Sequence, residues 1–479
     1  MNVLQINADQ LRWDALACAG NSFVQTPNLD RLAREGVRFS SAFTPQPMCV
    51  AARCSLHSGL SIYTTRCTIT FENPEDWCFG AGSWDQCLAR AGYHSEYHGR
   101  WHAPLSLTKG YANEVTLDFA SPYRAWLHER VGKPPAAVPG QFRDVISGWP
   151  YTPDAPDYNL RMERGDPPGH KTPGVEYGVY ELAPEHTFSG FVADRLIEAL
   201  GRLREGPFSL SAGILAPHHP QQVTRAWSES VRPEDLPPPA SMYDKRENTP
   251  FQATPWQIDA TEIASMGLIQ ARYYQLVQEV DAQVGRVLNE LDILGLADST
   301  LVIFTADHGE FLGDHGLTQK FYPYQEDIRV PLLMRLPGQI PAGLVVDEPV
   351  NLTDIFATVL DYTDQVETGR ENTESRSLRP LIEGRAQGWP DFTVSEFESL
   401  PWHALISREW KYVWTRLPEQ PDLLFDLATD PQELNNLLGS NPDRSRYLDQ
   451  AGRLKQQLLG WMESINHPYR EALASAEIG

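Results

Sequence analysis

Short apolar runs alternate with helical periods along most of this chain. That alternation restricts it to folds built on a mostly parallel sheet with helices on both faces. Val3 to Ala8 reads as a buried strand ending at Asp9. A helix is expected from Asn28, its cap, to Arg34, with Gly36 stopping it. Ala51 to Leu60 reads as a short helix just after Cys49, and Ser83 to Ala91 as another, stopped by Gly92. Phe188 to Leu203 is an amphipathic helix, and Phe208 to Leu215 a buried strand leading into Ala216-Pro217-His218-His219-Pro220. Ile258 to Leu294 is the strongest helical segment. Ile269, Tyr273, Leu276, Val280, Val284, Val287 and Leu291 step by three or four and make one apolar face. Thr300 to Thr305 and Val330 to Met334 read as further strands.

Two regions break the pattern. Residues 121–186 hold eleven prolines and no sustained period, so an irregular and functional insertion is expected there. The tail reads differently again. Phe392 to Phe397, His403 to Ser407 and Lys411 to Thr415 look like antiparallel strands, followed by a helix from about Arg444 to Met462. The expected organisation is a large α/β catalytic domain over 1–375 and a smaller α+β domain over 376–479, a division that 479 residues also favour.

The formal charge is −23, from 40 Lys and Arg against 63 Asp and Glu. Such an excess argues against nucleic acid or an anionic membrane surface as the main partner. No stretch approaches the ~20 apolar residues of a membrane span. Met1-Asn2 runs straight into Val3-Leu4-Gln5-Ile6, without a charged-then-apolar leader, so a cytoplasmic enzyme is expected. The six cysteines are Cys18, Cys49, Cys54, Cys67, Cys78 and Cys87. They form no CxxC pair and no repeating spacing, which argues against structural zinc and against a disulfide framework.

Ligands of open α/β sheets bind at the carboxyl ends of strands. Asp9 and Asp307 stand at such ends, and His308 follows Asp307. Together they form a candidate site for one divalent cation, although Asp and His are also common caps and turn formers. The run Thr305-Ala306-Asp307-His308-Gly309-Glu310 favours the metal reading. Cys49 begins a helix and Arg53 follows one turn later. A thiol there is expected to sit in a positive field that lowers its pKa. Cys54 reads as core.

These blocks resemble the type I sulfatases of the alkaline phosphatase superfamily. The likeness runs in family order through Asn2 to Gln10, Thr26 to Gly36 and Cys49 to Gly59, then Gly99-Arg100-Trp101-His102 and Pro217-His218. It continues through Asp307 to Lys320 and Leu424 to Leu437. The resemblance implies an alkaline phosphatase-like fold and a sulfuric ester hydrolase of the arylsulfatase kind. Its substrate would be a sulfate monoester of a sugar or another small alcohol. It implies that Cys49 is converted to formylglycine by a formylglycine-generating enzyme. Asp9, Gln10, Asp307, His308 and residue 49 would hold the metal, Ca²⁺ by family likeness, with Mn²⁺ or Mg²⁺ as alternatives. Arg53 would orient the hydrated aldehyde. His102 would take a proton during sulfate release, and His218 would protonate the leaving alcohol. Lys320 and Arg100 would hold the sulfate oxygens. A homo-oligomer is left open.

Three positions depart from the family pattern. Ala51 and Ala52 replace the Pro and Ser that usually follow the modified cysteine, Arg100 replaces Lys, and Gln10 replaces a second Asp. The alternative reading is a phosphonate monoester or phosphodiester hydrolase of the same superfamily, which shares the Asp-Gln and Asp-His pairs but generally lacks Trp-His. A catalytically dead binding protein is disfavoured by the intact reactive set. His57, His94, His98 and His219 are expected behind the reactive groups or at the surface. Arg124, Arg143, Arg161, Arg164 and Lys171 read as loop charges, with recognition of an anionic substrate as the functional alternative.

Overall fold

The computed structural model describes residues 1–68, 82–117, 119–131, 177–180, 182–219, 221–368, 374–417 and 419–479. Its strands are β1 (Asn2–Asp9), β2 (Val37–Phe43), β3 (His94–Gly99), β4 (Tyr177–Tyr180), β5 (Phe208–Pro217), β6 (Gln221–Thr224) and β7 (Thr300–Ala306). They continue with β8 (Arg329–Arg335), β9 (Leu344–Val346), β10 (Val350–Asn351), β11 (Phe392–Phe397), β12 (Trp402–Ser407), β13 (Trp410–Thr415) and β14 (Leu423–Asp426).

Among the described residues, the larger sheet runs β10-β2-β8-β7-β1-β5-β3, with β9 beside β2. Strand β1 lies parallel between β5 and β7. Every residue of β1 is buried, as a strand covered on both faces requires. The sheet is mostly parallel, with β8 antiparallel to both β7 and β2. The helices that cover it include α1 (Pro27–Glu35), α2 (Cys49–Ser58), α3 (Ile62–Thr65), α4 (Trp84–Arg90), α5 (Ala120–Val131), α6 (Phe188–Leu203), α7 (Ala260–Ile293) and α8 (Asp354–Tyr362). All seven apolar residues of the α7 stripe are buried, and all but Leu276 join the main core.

Two expectations are corrected, and one strand was not read from the sequence. Helix α1 starts at Pro27 with Thr26 as its cap, so Asn28 is not the cap. The Asn28 backbone N–H instead donates to Asp281 on α7. The stretch expected to be irregular from 121 opens inside a helix, α5, which buries Tyr123, Trp126 and Leu127. Residues 132–176, with Arg143, Arg161, Arg164 and Lys171, lie outside the described residues. Strand β3 escaped the apolar reading because its sequence is polar, HSEYHG. Among the described residues it pairs only with β5, at the end of the sheet order. Its Glu96 forms an ion pair there with Arg202 and lies within hydrogen-bond distance of His94 and His98.

The tail forms a separate antiparallel sheet in the order β11-β12-β13-β14. One face packs on α9 (Leu448–Ser464) and α10 (Arg470–Ser475) through Leu405, Tyr412, Leu454 and Leu458. The other joins a core containing Phe43, Met48 and Phe311. This sheet therefore abuts the segment that leads into Cys49: the Glu396 N–H donates to the Pro45 carbonyl at 2.9 Å.

Candidate active site

Asp9 closes β1 and Asp307 follows β7, so two neighbouring parallel strands deliver two carboxylates to one edge. Both are fully buried. Helix α2 brings Cys49 to them at its first residue. Cys49 Sγ lies 3.6 Å from Asp9 Oδ1, 3.1 Å from His308 Nε2 and 3.0 Å from Lys320 Nζ. Ligand atoms of Asp9, Cys49, Asp307 and His308 all fall within 4.8 Å of one another.

Two arginines tie the carboxylates together. Arg53 Nε donates to Asp307 Oδ2 and an Arg53 Nη to Asp9 Oδ2, each at 2.8 Å. Arg100 donates to the same Asp9 oxygen at 2.6 Å, and its other Nη donates to His102 Nδ1 at 2.9 Å. Burial opposes the Asp9 charge, yet Arg100, with Arg53 and Lys320, holds its carboxyl well below the ordinary range. The expectation for Cys49 is reversed. Burial and then the Asp9 carboxylate push its thiol up to about 11, outweighing Lys320 and Arg100. Arg53 spends its charge on Asp9 and Asp307 instead of facing the sulfur.

The donors fit a hard divalent cation. His308 Nδ1–H points at the Gly309 carbonyl, 2.9 Å away, which leaves the Nε2 lone pair aimed into the cluster. Lys320 Nζ lies 3.2 Å from Gln10 Oε1, 3.0 Å from Cys49 Sγ and 3.1 Å from His308 Nε2. These acceptors already converge on one positive point. Separations of 3.6, 3.8 and 3.9 Å among Sγ, Nε2 and the carboxylate oxygens are close to the ~3.4 Å expected between adjacent ligands at about 2.4 Å from Ca²⁺.

Two buried carboxylates were not singled out from the sequence. Glu310 accepts from the Gln10 side-chain amide, from the Leu312 N–H at 3.1 Å and from the Gln319 N–H at 2.6 Å. It turns Oε1 of Gln10 inward. Tyr273 of α7 fixes the same residue by donating to the Gln10 carbonyl at 2.7 Å. Asp327 accepts from the N–H groups of Phe321 and Tyr322, at 2.6 and 2.9 Å, and so fixes the chain just after Lys320. Glu310 belongs to the run that drew attention to Asp307, but nothing in the spacing assigned it a role.

Histidines flank the cluster. His218 Nδ1 lies 2.6 Å from the His219 carbonyl, and the two rings stack with centroids 4.0 Å apart. Burial keeps His102 and His218 well below the ordinary histidine range and His219 at about 3, so all three are neutral at pH 7. Gln319 Nε2 meets His219 Nδ1 at 3.1 Å. His57 stacks on Trp84 in the interior, and His94 and His98 belong to the β3 edge, so none of these three joins the cluster. Cys54 is buried core, as expected.

A family model described as sulfatase matches residues 1–365, and one described as the C-terminal part of N-sulphoglucosamine sulphohydrolase matches residues 313–461. An arylsulfatase of Clostridium perfringens is 28% identical over 98% of this chain and 96% of its own length. The solved phosphonate monoester hydrolase of Agrobacterium radiobacter superposes with a TM-score of 0.76 at 24% identity, over 97% of this chain and 96% of that one. A structure in complex with its substrate D-glucosamine-2-N,6-O-disulfate superposes with a TM-score of 0.72 at 19% identity, covering 98% of each chain.

Proposed function

The chain belongs to the sulfatase family and is a sulfuric ester hydrolase; from that premise we propose that it hydrolyses the sulfate monoester of a sugar or another small alcohol. In this reading residue 49 acts as formylglycine beside a divalent cation held by Asp9, Gln10, Asp307 and His308. The observation that carries it is the placement of Cys49 Sγ among those donors and 3.0 Å from the Lys320 ammonium. A thiol pushed up to about 11 is a poor nucleophile at neutral pH, so the aldehyde, not the thiol, is the reacting group in this reading. Hydrated formylglycine supplies one hydroxyl to attack sulfur and a second whose deprotonation releases sulfate. The cation, when bound, supplies positive charge that eases deprotonation of the attacking hydroxyl.

The remaining work falls to this chain's own side chains. Burial opposes the Lys320 charge, and the Asp9 and Asp307 carboxylates beside it favour that charge. Lys320 therefore enters as a cation, and it turns from its three acceptors to the sulfate oxygens. Arg100 does the same from the other side. As it turns, its bond to His102 Nδ1 is released, and that nitrogen becomes free to take a proton. Until then the neutral His102 ring carries its proton on Nε2. His218, with its Nδ1–H on the His219 carbonyl, presents Nε2. The incoming anion raises its pKa, and protonated Nε2 then delivers a proton to the leaving alkoxide. Arg53 holds Asp9 and Asp307 in place throughout.

A sugar substrate is supported by the ligand of one structural relative, D-glucosamine-2-N,6-O-disulfate. Hydrolysis of phosphonate monoesters is the second reading, favoured by Gln10 and by the Agrobacterium relative. The test is a rate comparison on aryl sulfates, sugar sulfates and phosphonate monoesters, using protein co-expressed with a formylglycine-generating enzyme. Sulfate esters should turn over faster, and faster phosphonate turnover would reverse the assignment. The mass of the peptide containing Cys49 should show the aldehyde.

A further inference from the structure

A second cluster of ligating side chains lies in the C-terminal sheet and shares no residue with the active site. Glu396 on β11 and His403 on β12 are direct cross-strand partners, which places their side chains side by side on one face. The turn between α9 and α10 adds His467. Its Nε2 is 3.1 Å from Glu396 Oε2, and His403 Nε2 is 3.7 Å from the same oxygen. All three ligand atoms lie within 4.8 Å of one another, and all three residues are buried.

His403 is the informative member. It is fully buried, and neither of its ring nitrogens has a hydrogen-bond partner among the described residues. Buried polar groups are rarely left so unless an ion or water belongs there. Aromatic rings hold the imidazoles in place. Tyr63 lies edge-on to His467 at 4.4 Å between centroids, and Trp414 lies 5.2 Å from His403. Glu396 also lines a cavity of about 600 Å³ with Ser61, Glu374 and Trp461, which offers a route inward.

We propose that Glu396, His403 and His467 bind one divalent transition cation, Zn²⁺ by preference, and so clip β11, β12 and the α9–α10 turn together beneath Tyr63. Two imidazoles and one carboxylate are a zinc-type donor set, with a fourth position left for water. The observed 3.1 and 3.7 Å separations bracket the ~3.3 Å edge of a tetrahedron with bonds near 2.05 Å. This set differs from the active site, where oxygen donors and one imidazole favour Ca²⁺. One rearrangement is required. The Tyr469 N–H now donates to His467 Nδ1 at 3.1 Å, so the ring proton sits on Nε2. On metal binding that proton moves to Nδ1, and the Tyr469 contact is exchanged for the metal bond.

The test is zinc binding by the full chain, stripped with chelator and then dialysed against Zn²⁺ with excess Ca²⁺ to occupy the hard site. Wild type should retain about one zinc per chain, and Asp307→Asn should retain it too. His403→Gln and Glu396→Gln should bind at least about tenfold more weakly. Co²⁺ substituted into the wild-type chain should give the intense visible absorption of a four-coordinate site, a readout that needs no variant. Absence of that absorption, failure of wild type to hold zinc, or equal zinc binding by a folded His403→Gln protein would overturn the proposal. None of these outcomes depends on sulfatase turnover, so the proposal stands or falls separately from the assigned reaction.

Discussion

Cys49 shows at the scale of one residue what burial does to a reactive group. Its position at the start of α2 was legible from Cys49-Val50-Ala51-Ala52-Arg53, as were the carboxylates at the strand ends. Its electrostatics were not. The helix terminus and Lys320 favour the thiolate, but desolvation and Asp9 outweigh them, and both arise from tertiary structure. An unmodified thiol pushed up to about 11 stays neutral at pH 7, so the proposed reaction rests on an aldehyde at residue 49. Cys49→Ala should therefore lower turnover of an aryl sulfate by at least about 10³-fold with an unchanged melting temperature, read from steady-state rates and thermal unfolding. Glu310 makes the complementary case. Its carboxylate accepts the Gln10 amide, so Oε1 of Gln10 faces the metal donors. Glu310→Gln opposes one amide with another and turns the Gln10 NH₂ inward. Calcium affinity, measured by titration calorimetry on chelator-treated protein, should fall by roughly 10- to 100-fold.

Elements position these residues through close approaches that a sequence pattern does not encode. Strand β5 passes directly behind Arg53, and Gly213 is the residue at the crossing. A Cβ there would lie 2.8 Å from an Arg53 Nη and closer still to the Arg100 carbonyl and the Tyr97 hydroxyl. β5 reads as an ordinary buried strand, so the need for glycine appears only once α2 and the segment after β3 are packed against it. Gly213→Ala should cost about 1–3 kcal/mol in denaturant unfolding. It should also lower turnover, because Arg53 releases Asp9 and Asp307 as it moves. The segment from Asp307 to Lys320 is held by a different device. His315 Nδ1 is 2.8 Å from Asp244, its Nε2 is 3.6 Å from Glu326, and its ring stacks on Tyr324 at 3.9 Å. Burial opposes its charge, but the two carboxylates outweigh it and raise its pKa to about 9. The folded value lies above the unfolded one of about 6.5. The resulting stability, on the order of 3 kcal/mol, is complete below pH 6.5 and is lost as pH rises through 9. Thermal unfolding should show wild type well above His315→Gln near pH 6, with the gap closing by about pH 10.

The whole molecule presents an acidic exterior to an anionic substrate. Its −23 charge was legible from composition, and so was the need for a local exception. The α/β architecture was legible too, because apolar periodicity survives in β1, α6 and α7. Polar edge strand β3 and the helix inside the proline-rich stretch were not, since pairing with β5 and the burial of Tyr123 and Trp126 decide them. The local exception is now specific. Arg53 is committed to Asp9 and Asp307, which leaves Lys320 and Arg100, each turning from its present acceptors, as the principal attraction this chain's side chains offer a sulfate. These charges act over a few ångströms inside the site. The acidic excess acts over a Debye length, which shrinks from about 30 Å at 0.01 M salt to about 8 Å at 0.15 M. A substrate with one sulfate carries a single charge through that outer field, and the buried cations then govern its binding. A substrate with several sulfates meets repulsion in proportion to its charge before it reaches them. For the latter, kcat/KM should rise several-fold as salt increases from about 0.01 to 0.15 M, whereas for a monosulfated aryl ester it should change little. The opposite trend, a steep fall with salt for the polysulfated substrate, would mean that a cationic surface around the site overrides the global charge.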